Sequence, residues 1–232
     1  MDVVLDGLRR ALSLLVHLDP EVLGITALSL QISATATLVS LVLGISAGVA
    51  VALARFPGKR FVVSLVNTGM GLPPVVVGLF VSILLWRSGP LGGLGLLYTP
   101  TAIVVAQAII ATPIVMGITV SAVQSLPPAL HVQILALGAT RTQWLWLLVK
   151  EARLPLMAAV MAGFGGVISE VGASIMVGGN IKGSTRVLTT ATVMEVGRGN
   201  FEVAIALSFI LLAASLGVNY LLTLIQQRER PG

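Results

Sequence analysis

From Gly24 to Ala54 the chain is a single apolar run, longer than the ~20 residues an α-helix needs to cross a hydrocarbon core. No other feature limits the fold as strongly. Inside a bilayer every backbone N–H and C=O must be bonded within the protein, a requirement that a helix meets by itself. Four further apolar runs follow: Phe61 to Trp86, Pro100 to Ser121, Leu156 to Gly179 and Phe201 to Ile225. With 56% hydrophobic and only 10% charged residues among 232, and a mean hydropathy of +1.01, an ordinary soluble domain is excluded, since there about a quarter of residues are charged. The expected class is an all-α integral membrane protein with about five transmembrane helices. The 25 glycines agree with it, because small residues let helix backbones approach closely in lipid.

The organisation predicted is one transmembrane domain with a five-helix core over 24–225. Residues 1–20 precede it as an amphipathic helix at the membrane interface, with Val3, Val4, Leu8, Ala11, Leu12, Leu15 and Val16 on one face. This segment is too short and too charged to span, and it lacks the features of a secretion signal. A basic tail over 226–232 carries Arg228 and Arg230. The turn Arg55-Phe56-Pro57-Gly58-Lys59-Arg60 holds three cations and belongs in the cytoplasm by the positive-inside rule. Five spans then place the N-terminus outside and the C-terminus inside, with eight basic residues inside against six outside.

Several positions within the spans carry more information than their hydrophobicity. Thr26, Ser29, Ser33, Thr35, Thr37 and Ser40 make the first span rich in hydroxyls, which either bond to their own or a neighbouring helix or line a polar pathway. Gly69-Met70-Gly71-Leu72-Pro73-Pro74 interrupts the second span and reads either as a kink or as a broken helix beside a translocation route. Glu170 lies within the fourth span, where an ionised side chain costs ~2.5–3.5 kcal/mol on insertion scales, so it must face protein or water. Pairing with an arginine or with backbone amides suits it better than contact with an anionic cargo. Asn180 to Asn200 is polar and is a candidate re-entrant segment.

Other chemistry is absent. The only Gly-Lys pair, Gly58-Lys59, is followed by Arg60 and lacks the upstream glycine of a phosphate-binding loop, so the chain binds no nucleotide by that route. There is no cysteine, and His17 and His131 are isolated, so no metal site is expected. No nucleophile and base pattern marks a catalytic site. The basic residues are scattered through short loops as topology signals, not gathered into a nucleic-acid patch. Between Val22 and Lys150 there is no acidic residue, which suits an anionic cargo.

The longest interruption, Leu126 to Pro155, opens on Pro127-Pro128 and holds Gly138 at its centre. Ala136-Leu137-Gly138-Ala139-Thr140-Arg141 resembles the centre of the cytoplasmic loop by which permeases of ABC importers dock into their ATPase subunits. Two departures stand out. Val132-Gln133-Ile134 occupies the positions of the family's Glu-Ala-Ala, leaving Arg141 as the alternative charge, and the terminal Leu154-Pro155 comes four residues later than in the general pattern. Downstream, Lys150-Glu151-Ala152-Arg153, Gly163-Phe164-Gly165, Ile168-Ser169-Glu170-Val171-Gly172-Ala173, Met176-Val177-Gly178-Gly179-Asn180-Ile181 and Thr185-Arg186 to Thr189-Thr190-Ala191 resemble the tungstate permease branch, close kin of the molybdate permeases.

The resemblance implies the type I ABC importer permease fold in the cell membrane and a homodimer of this chain. It also implies two ATPase subunits using ATP and Mg, and an extracytoplasmic tungstate-binding protein. The chain itself would hold no cofactor. Ala136 to Arg141 would couple to the ATPase. Thr35, Gln107, Thr112, Ser169, Asn180, Thr189 and Thr190 are the expected lining of a path for a tetrahedral dianion, offering hydroxyls and amides in place of a trapping cation. A permease for molybdate or another oxyanion is the nearest alternative. An ATP-independent channel or secondary transporter is more distant, because Glu170 alone resembles a relay residue.

Overall fold

The computed structural model describes residues 2–17 and 19–228. Helix α1 (Asp2–Val16) leads into α2 (Pro20–Leu53). Asp19 starts α2: its Oδ1 accepts from the amides of Glu21 at 3.0 Å and Val22 at 3.1 Å, and Pro20 sits in the first turn, where its missing donor is not needed. The helix therefore begins at Pro20 and not at Gly24.

The second apolar run divides into α3 (Lys59–Gly69) and α4 (Pro74–Leu85), bent by 97°. That angle makes the Gly69 to Pro74 interruption a break and not a kink. Pro73 and Pro74 cannot donate to the preceding turn, and the carbonyl of Pro73 begins the new helix by accepting from Val76 at 2.9 Å. Helix α5 (Pro100–Gln124) follows. Helices α6 (Pro128–Ala136) and α7 (Arg141–Glu151) form the central interruption, and α8 (Arg153–Ile168) and α9 (Gly172–Gly178) are a second bent pair, at 58°. Helices α10 (Leu188–Gly197) and α11 (Phe201–Arg228) complete the described chain. Among the described residues three helices are long and apolar enough to cross a membrane unbroken, and counting each bent pair as one span makes up to five.

The bundle is centred on α2 against α5. Along α2 the buried face reads Ser33, Thr37, Ser40, Gly44, Gly48 and Ala52, small residues about one turn apart. The glycines are there for space: a Cβ on Gly44 would lie 2.8 Å from Val115 Cβ, and one on Gly48 would lie 2.7 Å from Thr119 Cβ. Helix α4 meets α9 as closely, since a Cβ on Gly78 would lie 2.7 Å from Ala173 Cα.

Two contacts define one end of the bundle. Lys59 Nζ donates to the carbonyls of Ala52 at 2.6 Å and Ala54 at 3.0 Å, closing the C-terminus of α2. Gln226 Nε2 donates to Leu154 O at 3.2 Å, which brings the end of α11 to the central interruption. The start of α2 lies at the opposite end, about 51 Å away along a helix of 34 residues.

Helix α1 docks on α11: its small residues Gly7 and Ala11 press on that helix, while Val4, Leu5, Leu8 and Leu12 are exposed. The side chains of Val3, Leu15 and Val16, and the tail beyond Arg228 with Arg230, lie outside the described residues. The polar stretch Asn180 to Asn200 does not stand clear of the bundle. It contains α10, whose first turn, Leu188 to Ala191, is buried against α2 and α11.

Candidate functional site

Two sites follow from this architecture. At the α2 C-terminal end, α6 and α7 meet in a corner whose every residue has a backbone role. Gly138 has φ +78°, the left-handed region that glycine enters without penalty. Its N–H donates to Leu135 O at 3.0 Å and the N–H of Ala139 to Ile134 O at 3.4 Å, the paired bonds of a Schellman cap. Only one residue further, Thr140 caps α7. Its Oγ1 accepts from the amide of Gln143 at 3.4 Å, while Gln143 Oε1 accepts from the Thr140 N–H at 2.8 Å. Ala136 to Arg141 is therefore a fixed bend, capped on both sides. The His131 and Trp144 rings, 5.7 Å between centroids, brace α6 on α7.

This corner presents apolar groups outward. Leu137 at its tip is 88% exposed, and Val132, Leu135 and Trp146 are exposed beside it. Lys150 Nζ sits 4.9 Å from the centre of the Trp146 ring. Arg141, at the first position of α7, is also exposed. Ala152 ends α7 and at once begins α8, so Pro155 lies in the first turn of α8, where proline is tolerated.

The second site is a buried polar cluster where α2, α5, the α8 to α9 break and the start of α10 converge. Ser29, Ser33, Gln107 and Thr189, with Ile32, Ile168 and Val187, surround a cavity of about 10 Å³, enough for one water molecule. Gln107 Nε2 donates to Ser174 Oγ at 3.1 Å, whereas its Oε1 is buried without a donor. Ser29 Oγ donates to Ile25 O at 2.7 Å and accepts the N–H of Leu188 at 2.8 Å, so it serves its own helix and tethers α10. Thr189 Oγ1 donates to Glu170 O at 2.9 Å. The Glu170 side chain, 9% exposed, accepts from the Ala173 amide at 3.0 Å and thereby caps α9. Among the described residues no three His, Asp or Glu side chains gather as metal ligands.

The model of the family described as binding-protein-dependent transport system inner membrane component matches residues 40–231. The chain belongs to this family. A tungstate uptake system permease protein of Peptoclostridium acidaminophilum is 39% identical over 227 residues, covering 98% of this chain and all of the relative. A probable anion ABC transporter permease protein of Haloferax volcanii is 48% identical over 202 residues, covering 85% of this chain and 87% of that one. A crystal structure of an amino acid ABC transporter with histidines superposes with a TM-score of 0.67 at 20% identity, covering 92% of this chain and 96% of the other, which establishes the fold. The permease is thus a multi-pass membrane transport subunit and not an enzyme, and its family works with binding-protein and ATPase components.

Within the permease the residues expected to line a path separate into two groups. Gln107 and Thr189 meet at the small cavity. Thr190 is bound to Asn180, its Oγ1 donating to Asn180 Oδ1 at 3.0 Å, and Asn180 itself has φ +50°. Gln107, Thr189 and Thr190 are buried inside the protomer, and Asn180 is half-buried. Thr35 and Ser169 are exposed, their hydroxyls bonded to Gln31 O at 2.7 Å and Gly165 O at 2.8 Å, and half-buried Thr112 donates to Ala108 O at 2.6 Å. Ser174, and Thr185 of the Thr185-Arg186 motif, were not among the residues expected to line a path. Thr185 donates to Gly178 O and accepts from Ile181 N–H at 2.9 Å, closing the turn after α9.

Proposed function

We propose that this chain is the permease subunit of an ATP-driven tungstate importer. The observation that carries the substrate is the 39% identity with a tungstate permease across 98% of the chain. Two copies would form the transport unit, with two ATPase subunits using ATP and Mg, and a tungstate-binding protein delivering the anion from outside. The corner from Ala136 to Arg141 is the contact for the ATPase, and Leu137 is its most exposed apolar group. That assignment puts the α11 C-terminus in the cytoplasm, because Gln226 bonds to Leu154 at the same end, and puts the N-terminus outside.

A path between two copies requires side chains exposed on each protomer. Thr35 and Ser169 satisfy that condition, while Gln107, Thr189 and Thr190 are buried and act by positioning the α8 to α9 break and α10. Thr112 and Asn180, neither fully buried, flank the two groups.

The experiment is ATPase stimulation and uptake in proteoliposomes holding the permease, its ATPase and its binding protein, with tungstate, molybdate and sulfate compared. Tungstate is expected to stimulate at the lowest concentration. Equal stimulation by molybdate would move the assignment to a general oxyanion permease, and flux through the permease alone would refute ATP-driven import. Unchanged transport in Thr189→Val with Thr190→Val would remove those two residues from the mechanism.

A further inference from the structure

The end of the bundle opposite the coupling corner holds a cationic cavity with no role in the transport assignment. The start of α2, the segment before α10, α10 itself and the start of α11 enclose about 430 Å³. Arg10, Lys182, Arg186 and Arg198 line it together with Asp19, Glu21 and Glu195. All three carboxylates are engaged. Asp19 caps α2, Glu21 accepts from Lys182 at 2.6 Å and faces Arg186 at 3.5 Å, and Glu195 accepts from Arg198 at 2.9 Å and from Asn200 at 2.7 Å.

The cations are not all engaged. Arg10 has no side-chain partner among the described residues. Arg186, with a side chain only 12% exposed, makes one long ion pair, and its buried Nε–H has no acceptor. Arg186 thus brings to the cavity wall a positive charge that its one long ion pair compensates only in part. Arg186 and Lys182 also line a neighbouring cavity of about 480 Å³ on the other side of Glu21, so the cationic surface continues across the bridge.

The remaining wall is apolar, formed by Val22, Ile25, Val203 and Leu207, and α1 exposes Val4, Leu5 and Leu8 nearby. The volume falls in the range of small-molecule sites, ~300–1,000 Å³, and exceeds what a bare tetrahedral ion fills. Charge on one wall and hydrocarbon on the other match a phosphate group carrying glycerol and the first methylenes of an acyl chain.

We propose that this cavity binds a phosphate-class oxyanion through Arg186 and Arg10, and that its amphipathic lining selects the headgroup of an anionic phospholipid. Arg198 and Lys182 hold the neighbouring carboxylates and keep them from repelling the ligand. The proposal does not depend on which anion is transported.

Its test uses the full chain in nanodiscs of phosphatidylcholine with added phosphatidylglycerol, with retained lipid counted by native mass spectrometry. A parallel detergent sample is titrated with inorganic phosphate and followed by its thermal midpoint. Phosphatidylglycerol should be retained over phosphatidylcholine, and Arg10→Gln and Arg186→Gln should each weaken retention about tenfold or more, the loss of a charge-assisted bond. Arg10 makes no structural bond, so Arg10→Gln keeps its fold and its thermal midpoint without ligand. A saturable phosphate shift lost in Arg10→Gln, without lipid selection, would support the same site with a free ion as its ligand. Equal retention of the two lipids together with no phosphate shift, or retention and shift unchanged in both variants, would overturn it and leave Arg186 hydrated by water only.

Discussion

Gly138 offers the sharpest test of the proposed coupling role of the corner because its own part in the bend is purely conformational. Its φ is +78°, and a Cβ built there would find nothing within 4 Å. Any effect of substitution must then come from backbone strain and not from a clash. For an ordinary L-residue the left-handed conformation costs roughly 1–2 kcal/mol, so Gly138→Ala should open the Schellman cap about 5–30 times more often. The amides of Gly138 and Ala139, bonded to Leu135 and Ile134, would exchange with deuterium faster by that factor in the peptide spanning the corner. Gly138→Leu should match Gly138→Ala, since there is room for either, whereas Gly138→Asn should exchange more slowly than both because Asn tolerates this region. If coupling runs through the bend, the transport yield per ATP should fall in the same order: Asn least, Ala and Leu together. An effect that grew steadily with side-chain volume would refute the conformational account, because it would require a neighbour that this corner lacks.

Gly48→Leu sets the opposite case, where space is what the glycine supplies. The added side chain meets Thr119 and the Met116 carbonyl, 3.0 Å from the first carbon, and should lower stability by about 1–3 kcal/mol, read as a fall in thermal midpoint in detergent. Glu170→Gln keeps an acceptor for the Ala173 amide and should leave the midpoint nearly unchanged, while Glu170→Ala should lose about 1–2 kcal/mol as a lost cap. Equal losses in the two would show that the charge, and not the acceptor, matters. Gln107→Leu removes one hydrogen bond to Ser174 and also an amide oxygen that is buried without a donor. Those terms are each about 1 kcal/mol and opposed, so the variant should fold as well as the parent and be impaired only in transport.

The sequence revealed the helical class and the number of spans because hydrocarbon thickness imposes a length that composition shows directly. It also exposed the corner through Gly138 at the centre of the longest interruption, whereas the Thr140 to Gln143 cap is seen only in the fold. The bend at Gly69 to Pro74 was visible only as an interruption. Its 97° angle is decided by where α3 and α4 find partners, with Gly69 against Pro113 and Gly78 against Ala173. The polar cluster was legible by residue type but not by membership. Helical spacing puts Ser33 and Thr37 on the α5 side of α2 and leaves Thr35 exposed, yet which face would be buried depends on Gly44 and Gly48 further along. The link between Thr189 and Glu170 joins residues across a break and a loop, and no local rule anticipates it.

The two sites are connected by the chain itself. Helix α5 carries Gln107 and ends at Gln124, just before the corner, while α8 begins at Arg153, directly after α7, and leads to Glu170 and Ser174. A displacement of α6 and α7 as a unit therefore acts on both helices that hold the polar cluster. The helices resist bending along their packed lengths, but the 58° break after Ile168 is held by few bonds, among them the Glu170 cap of α9 and the Thr189 tether to α10. Motion imposed at the corner should be taken up at that break, since it is where the helix leading from the corner to the polar cluster is interrupted. Hydrogen exchange in the α8 to α9 segment should accordingly rise when the ATPase subunits bind ATP, and rise less in Gly138→Leu, where the bend no longer transmits the push. An unchanged response in that variant would separate the corner from the break and require force to enter the bundle elsewhere.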